Sequence, residues 1–156
     1  MKIEDELYRE VILDHHKHPR KAAPLSSYSA ASSGMNPSCG DEVEVRLRIE
    51  NQTVTDVQIK TRGCAVSCSS GSMLAEQAEG LSVDALRDLI SRMRQLLKTG
   101  QSDDKTNLGD FEAMAGVSRF PVRIKCAMLP LTAALQALDA YAKDTAGSSV
   151  STEETG

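Results

Sequence analysis

Residues 42–50 alternate without a break between Val43, Val45, Leu47 and Ile49 on one side and Glu42, Glu44, Arg46, Arg48 and Glu50 on the other. That period of two is the pattern of a strand with one buried and one wet face. Asn51-Gln52 then turns the chain, and Val57 and Ile59 resume the apolar face opposite Gln58 and Lys60. Residues 43–62 therefore read as an antiparallel hairpin. Val54 breaks the alternation, so a bulge or the turn itself has to absorb it.

Helical patterns flank this hairpin. Leu7 with Val11 and Tyr8 with Ile12 lay an apolar stripe along residues 4–17, the early acids Glu4, Asp5 and Glu6 suit the positive end of that helix, and Pro19 stops it. Residues 20–38 have the composition of a loop, with room for a short edge strand at 25–31. Residues 65–79 read as a helix despite Ser67, Ser69, Ser70, Gly71 and Ser72, which are poor helix formers but let backbones approach. Ser82 is placed to cap the next helix, with Leu81 stapled to Leu86, and Leu86, Leu89, Ile90, Met93, Leu96 and Leu97 give it a broad apolar face to about residue 97. A polar connection over 98–107 leads to a short helical turn at 111–115. Residues 120–125 are then expected to be extended, with Cys126 beginning the last helix and Pro130 in its first turn. The fold class is α+β, a small antiparallel sheet packed against about five helices. Residues 1–143 form one domain, and 144–156 are expected to be disordered.

The composition excludes several functions. Lys and Arg total 18 against 22 acids, and with Asp144, Glu153 and Glu154 in the tail the domain itself is nearly balanced. A nucleic-acid surface normally carries a strong basic excess, so no nucleic-acid partner is expected. The polar opening residues lead to the expectation of no signal peptide, and no apolar run approaches the roughly 18 residues of a membrane span. The expected location is the cytoplasm, away from membranes, where cysteines stay reduced and serve metals or catalysis more often than disulfides.

There are four cysteines, Cys39, Cys64, Cys68 and Cys126. Cys39 precedes the first hairpin strand and Cys64 follows the second, so an antiparallel pairing makes them neighbours. Cys126, at a helix start, would favour a thiolate, and Asp41 can reach the same point. Three thiolates and a carboxylate suit a tetrahedral zinc ion. The bland alternative, that these are ordinary small buried side chains, fits poorly with thiols that all sit at element boundaries. The residues alone leave zinc, transient iron and a sulfur-carrying thiol open.

Several stretches resemble the IscU/NifU-like scaffold family, and more closely its zinc-containing SufU branch. They are Leu7-Tyr8-Arg9-Glu10-Val11-Ile12-Leu13-Asp14-His15, Asn36-Pro37-Ser38-Cys39-Gly40-Asp41, Gly63-Cys64-Ala65-Val66-Ser67, Ser70-Gly71-Ser72-Met73 and Gly116-Val117-Ser118-Arg119-Phe120-Pro121-Val122-Arg123-Ile124-Lys125-Cys126. The resemblance implies a three-stranded sheet against helices and a metal site of Cys39, Asp41, Cys64 and Cys126. Two departures point to the SufU branch. Lys125 stands where cluster-building scaffolds carry a histidine ligand, and residues 96–117 look like that branch's insertion.

For the SufU branch the resemblance implies sulfur acceptance from a PLP-dependent cysteine desulfurase of the SufS type, with delivery to downstream iron–sulfur assembly proteins. Cys39 is then the acceptor, held as a thiolate by zinc until a desulfurase histidine takes its place, and Arg123 pairs with Asp41. A scaffold assembling a [2Fe–2S] cluster, binding iron through the same residues, is the first alternative. A structural zinc module is the second. Cys68 departs from the family's usual methionine and reads as a buried replacement, a secondary acceptor, an alternative ligand or a disulfide partner. His15, His16 and His18 end the first helix, where the dipole favours them, and are expected to serve partner docking more than metal binding. Lys60 and Arg62 are candidates to attract an acidic partner surface.

Overall fold

A computed structural model of the chain describes residues 3–37, 40–101 and 108–145. The elements run α1 (Ile3–Lys17), β1 (Ala30–Asn36), β2 (Asp41–Glu50), β3 (Thr53–Arg62), α2 (Ala65–Ala78), α3 (Val83–Thr99), a 3-10 segment (Gly109–Arg119) and α4 (Pro121–Thr145). The strands form one antiparallel sheet in the order β1-β2-β3. The fold class expected from the sequence is therefore the one observed.

The hairpin turns on Asn51 and Gln52, both at positive φ (52° and 63°), the twist that a two-residue connection between antiparallel strands demands. Ile49 pairs with Val54 but Arg48 pairs with Asp56, so Thr55 is the extra residue of a bulge. Its hydroxyl donates to the Arg48 carbonyl at 3.1 Å. The bulge resets the alternation, and Val54 joins Val57 and Ile59 in the core. The edge strand is real but lies at Ala30–Asn36, later than the expected 25–31. Leu25 instead lies over the wet face, where its N–H donates to the buried Gln58.

Helices α2 and α4 cover the apolar face of the sheet, α1 packs on α2, and α3 packs on α4 and the 3-10 segment. The serines of α2 explain how a weakly helical sequence is held. Ser69 Oγ donates to the Ile12 carbonyl of α1 at 2.5 Å, and Ser70 Oγ donates to the Ala127 carbonyl of α4 at 2.6 Å. Each buried hydroxyl thus finds a neighbouring backbone, as burial requires. Ser82 caps α3 by accepting the Ala85 N–H, and Gly100 ends it at φ 76°. The broad apolar face of α3 is buried as expected.

Two expectations about the last helix are corrected. Residues 121–125 are helical, because Pro121 occupies the first helical position, where its fixed φ helps and its missing N–H is harmless. The β-branched Val122 and Ile124 favour a strand locally, but the helix prevails. Cys126 is consequently the sixth residue of α4 and Pro130 lies inside the helix. A Cβ added to Gly71 would sit 3.5 Å from the Pro130 ring, so α2 is narrow where that proline faces it. Ser70 donates to the Ala127 carbonyl in the turn before Pro130, a bond from α2 to that turn of α4. Among the described residues no helix is long and apolar enough to cross a membrane. Residues 144 and 145, expected to belong to a disordered tail, close α4, and the rest of that tail, from residue 146 on, lies outside the described residues.

Candidate metal centre

Three elements converge at one end of the sheet. Asp41 opens β2, Cys64 is the residue that begins α2, and Cys126 projects from the second turn of α4. Their ligand atoms all lie within 4.8 Å of one another. A tetrahedral ion bound by sulfur and oxygen sets its ligands roughly 3.4–3.8 Å apart, so small side-chain adjustments suffice to close a shell.

The carboxylate is the fixed part. Asp41 is 1% exposed and accepts the Cys64 N–H through Oδ1 at 2.9 Å, while Oδ2 accepts from the Cys64 thiol at 3.3 Å. Cys126 is buried at 3%, and Cys64 is exposed. A deep carboxylate and thiol with one open thiol form a cup whose mouth faces solvent. The helix-start position expected for Cys126 belongs instead to Cys64.

Gly63 is what makes room. It lies at φ 144°, and a Cβ there would come within 1.9 Å of Asp41 Oδ1. In the sequence this glycine is marked only as the residue after the hairpin and the first of the stretch Gly63-Cys64-Ala65-Val66-Ser67. Ser67, whose place beside the thiol no local pattern signals, has its hydroxyl 3.7 Å from Cys64 Sγ and donates to the Cys64 carbonyl at 3.2 Å.

The remaining candidates fall around the cup. Cys39 lies outside the described residues. Cys68 is half-buried one turn along α2, with its thiol directed to the carbonyls of Thr61 (3.5 Å) and Gly63 (3.7 Å). Burial pushes its ionisation upward, and the nearby Cys64 and Asp41 add to the shift. The guanidinium of Arg123 stands 5.6 Å from the centre of the Phe120 ring. Lys125 is exposed on α4, and Lys60 and Arg62 are exposed on β3. His15 is not available to a partner: it is fully buried, with Nδ1 2.7 Å from Ser72 Oγ and Nε2 2.8 Å from Asp110 Oδ2.

A model of the NifU-like N-terminal domain matches residues 7–127. The chain belongs to that family. It is 36% identical over 125 residues to the zinc-dependent sulfurtransferase SufU of Bacillus subtilis, covering 80% of this chain and 84% of that protein. It is 34% identical over 136 residues to the iron–sulfur cluster assembly scaffold protein IscU of Streptococcus pyogenes, covering 85% and 82%. Among solved structures, the Fervidobacterium islandicum protein designated FiSufU superposes with a TM-score of 0.76 at 27% identity, covering 83% of this chain and 94% of that one. The N-terminal domain of a NifU-like protein from Brucella abortus, at 22% identity, shares the fold with a TM-score of 0.80 over 89% and 96%. In this NifU-like chain, the cup of Asp41, Cys64 and Cys126 offers a donor set of two thiols and a carboxylate, which fits zinc.

Proposed function

We propose that this NifU-like chain is a zinc-bound sulfur acceptor that takes persulfide sulfur from a PLP-dependent cysteine desulfurase of the SufS type in the cytoplasm and relays it to iron–sulfur assembly proteins. The observation that carries the reading is the convergence of Asp41, Cys64 and Cys126. Cys39 stands two residues before Asp41 in sequence, so the chain keeps their Cα atoms within about 7 Å. It is the natural fourth ligand. Bound zinc supplies the positive charge that keeps its thiol ionised at neutral pH.

The residues then divide the work. Asp41, buried and fixed by the Cys64 N–H, stays in place while Cys39 moves. Cys39, as a thiolate, attacks the outer sulfur of the enzyme's persulfide. A new sulfur–sulfur bond forms on Cys39, the old one breaks, and the enzyme's cysteine leaves as a thiolate. Lys125, standing in place of a histidine ligand, favours this relay over assembly of a [2Fe–2S] cluster on the chain.

The test is cysteine-dependent sulfide production by a desulfurase, measured with and without the protein while its zinc is quantified. Stimulation that disappears in Cys39→Ala supports the reading. Stimulation that survives the substitution, or its absence with zinc-loaded wild type, contradicts it. A stoichiometric, transferable [2Fe–2S] cluster on reconstituted protein would favour the scaffold reading instead.

A further inference from the structure

A second cluster of ligating side chains lies well away from the thiol centre. His15 of α1, Glu76 of α2 and Asp110 of the 3-10 segment bring an imidazole nitrogen and two carboxylate oxygens within 4.8 Å of one another. Glu76 lies 12 residues beyond Cys64, so α2 carries it about 18 Å further along its axis. We propose that these three residues form a second divalent-cation site, of nitrogen and oxygen ligands, that ties α1, α2 and the 3-10 segment together.

The arrangement has the features of a built ligand set. His15 is fully buried and its ring is oriented from behind, Nδ1 lying 2.7 Å from Ser72 Oγ. Metal-binding histidines are commonly held this way through the nitrogen that does not ligate. Nε2 faces outward, 2.8 Å from Asp110 Oδ2 and 3.8 Å from Glu76 Oε1. Ligands at about 2.0–2.2 Å from zinc stand roughly 3.3–3.6 Å apart, between those two distances. The carboxylates are 46% and 42% exposed, so an ion can enter from solvent and keep water as its remaining ligand.

The hydrogen bonds admit an imidazolium that donates through both nitrogens and two neutral tautomers. In one, the Ser72 hydroxyl donates to Nδ1 and Nε2–H donates to Asp110. In the other, Nδ1–H donates to Ser72 Oγ, which already accepts the Arg20 N–H at 2.9 Å, and Nε2 turns a lone pair toward the carboxylates. That second form is the one that can accept a cation in the gap. Binding therefore requires a ring that carries its proton on Nδ1 alone, reached by transfer of the Nε2 proton from the other neutral tautomer or by its loss from the imidazolium. Arg20, whose Nε is 3.7 Å from the other oxygen of Glu76, leaves Oε1 turned to the histidine and the site net negative.

The test is a zinc titration of metal-free full-length protein by calorimetry, repeated with Asp110→Asn and Glu76→Gln. Asn keeps an acceptor for Nε2–H, so the fold survives while a charged ligand is lost. The wild type should bind one equivalent more than Asp110→Asn, however many the thiol centre takes, or bind that equivalent at least about tenfold more tightly. Cobalt in the second site should add no near-ultraviolet sulfur-to-metal band, because no sulfur ligates it. Equal stoichiometry and affinity in all three proteins would overturn the proposal and leave His15–Asp110 as a hydrogen-bonded pair. A sulfur-to-metal band accompanying every bound equivalent would overturn it as well.

Discussion

Gly63 and Asp41 occupy adjoining space that only a residue without a side chain leaves open: a Cβ at position 63 would fall 1.9 Å from Asp41 Oδ1. The φ of 144° at Gly63 is also one that other residues rarely adopt. Gly63→Ala should therefore cost about 1–3 kcal/mol in stability. It should also turn the carboxylate away and weaken zinc binding by roughly 10–100-fold, as loss of a positioning contact does. Chelator competition on the purified variant measures this, and unchanged affinity would remove Gly63 from the account.

Cys126 and Asp41 are the buried ligands, and each can be changed with little loss of volume. Cys126→Ser replaces a soft ligand with a poor one and should weaken zinc binding by more than about 100-fold. Asp41→Asn keeps an oxygen to accept the Cys64 N–H but removes the charge, so it should bind zinc more weakly than wild type while folding normally. Metal analysis after dialysis, alongside circular dichroism, separates the two effects.

Much of this centre was legible in the sequence because a hairpin has few ways to close. Alternation over 42–50 and 57–60 fixes which ends are adjacent, and that places Asp41 beside Cys64. The bulge at Thr55 was legible as a break in parity at Val54. The start of α4 was not, since Val122 and Ile124 favour strands locally and the helix is set by Pro121 and by packing of Cys126, Ala127 and Leu131 into the core. Nor was the burial of His15, whose partners Ser72 and Asp110 are 57 and 95 residues distant. Contacts of that range leave no local pattern.

Cys68 donates to backbone carbonyls and lies outside the three-residue cup. Cys68→Met should leave zinc stoichiometry unchanged. Since burial favours its thiol, the metal-free protein should alkylate more slowly at Cys68 than at the exposed Cys64 near neutral pH, read by peptide mass spectrometry. The corresponding stability is present below the ordinary thiol value of 9.0 and is lost as pH rises past it, a loss that Cys68→Met should abolish.

At the other extreme of pH, the hydrogen bond from Arg20 to Asp14, 2.8 Å long, holds the Asp14 carboxyl below its ordinary value of 3.8. The depressed value means that the interaction supports the fold above that pH and fades as pH falls through the folded value. An NMR titration should place the Asp14 midpoint below 3.8 in wild type and move it upward in Arg20→Gln. An unmoved midpoint would dissociate Asp14 from Arg20.

The central claim, that Cys39 receives the sulfur, is tested most directly by peptide mass spectrometry of the zinc-loaded protein after incubation with a cysteine desulfurase and cysteine, with persulfides trapped by alkylation. The account predicts one added sulfur on the peptide containing Cys39, and none on those containing Cys64, Cys68 or Cys126. Sulfur on Cys68 in place of Cys39, or on no cysteine while the desulfurase turns over, would contradict it.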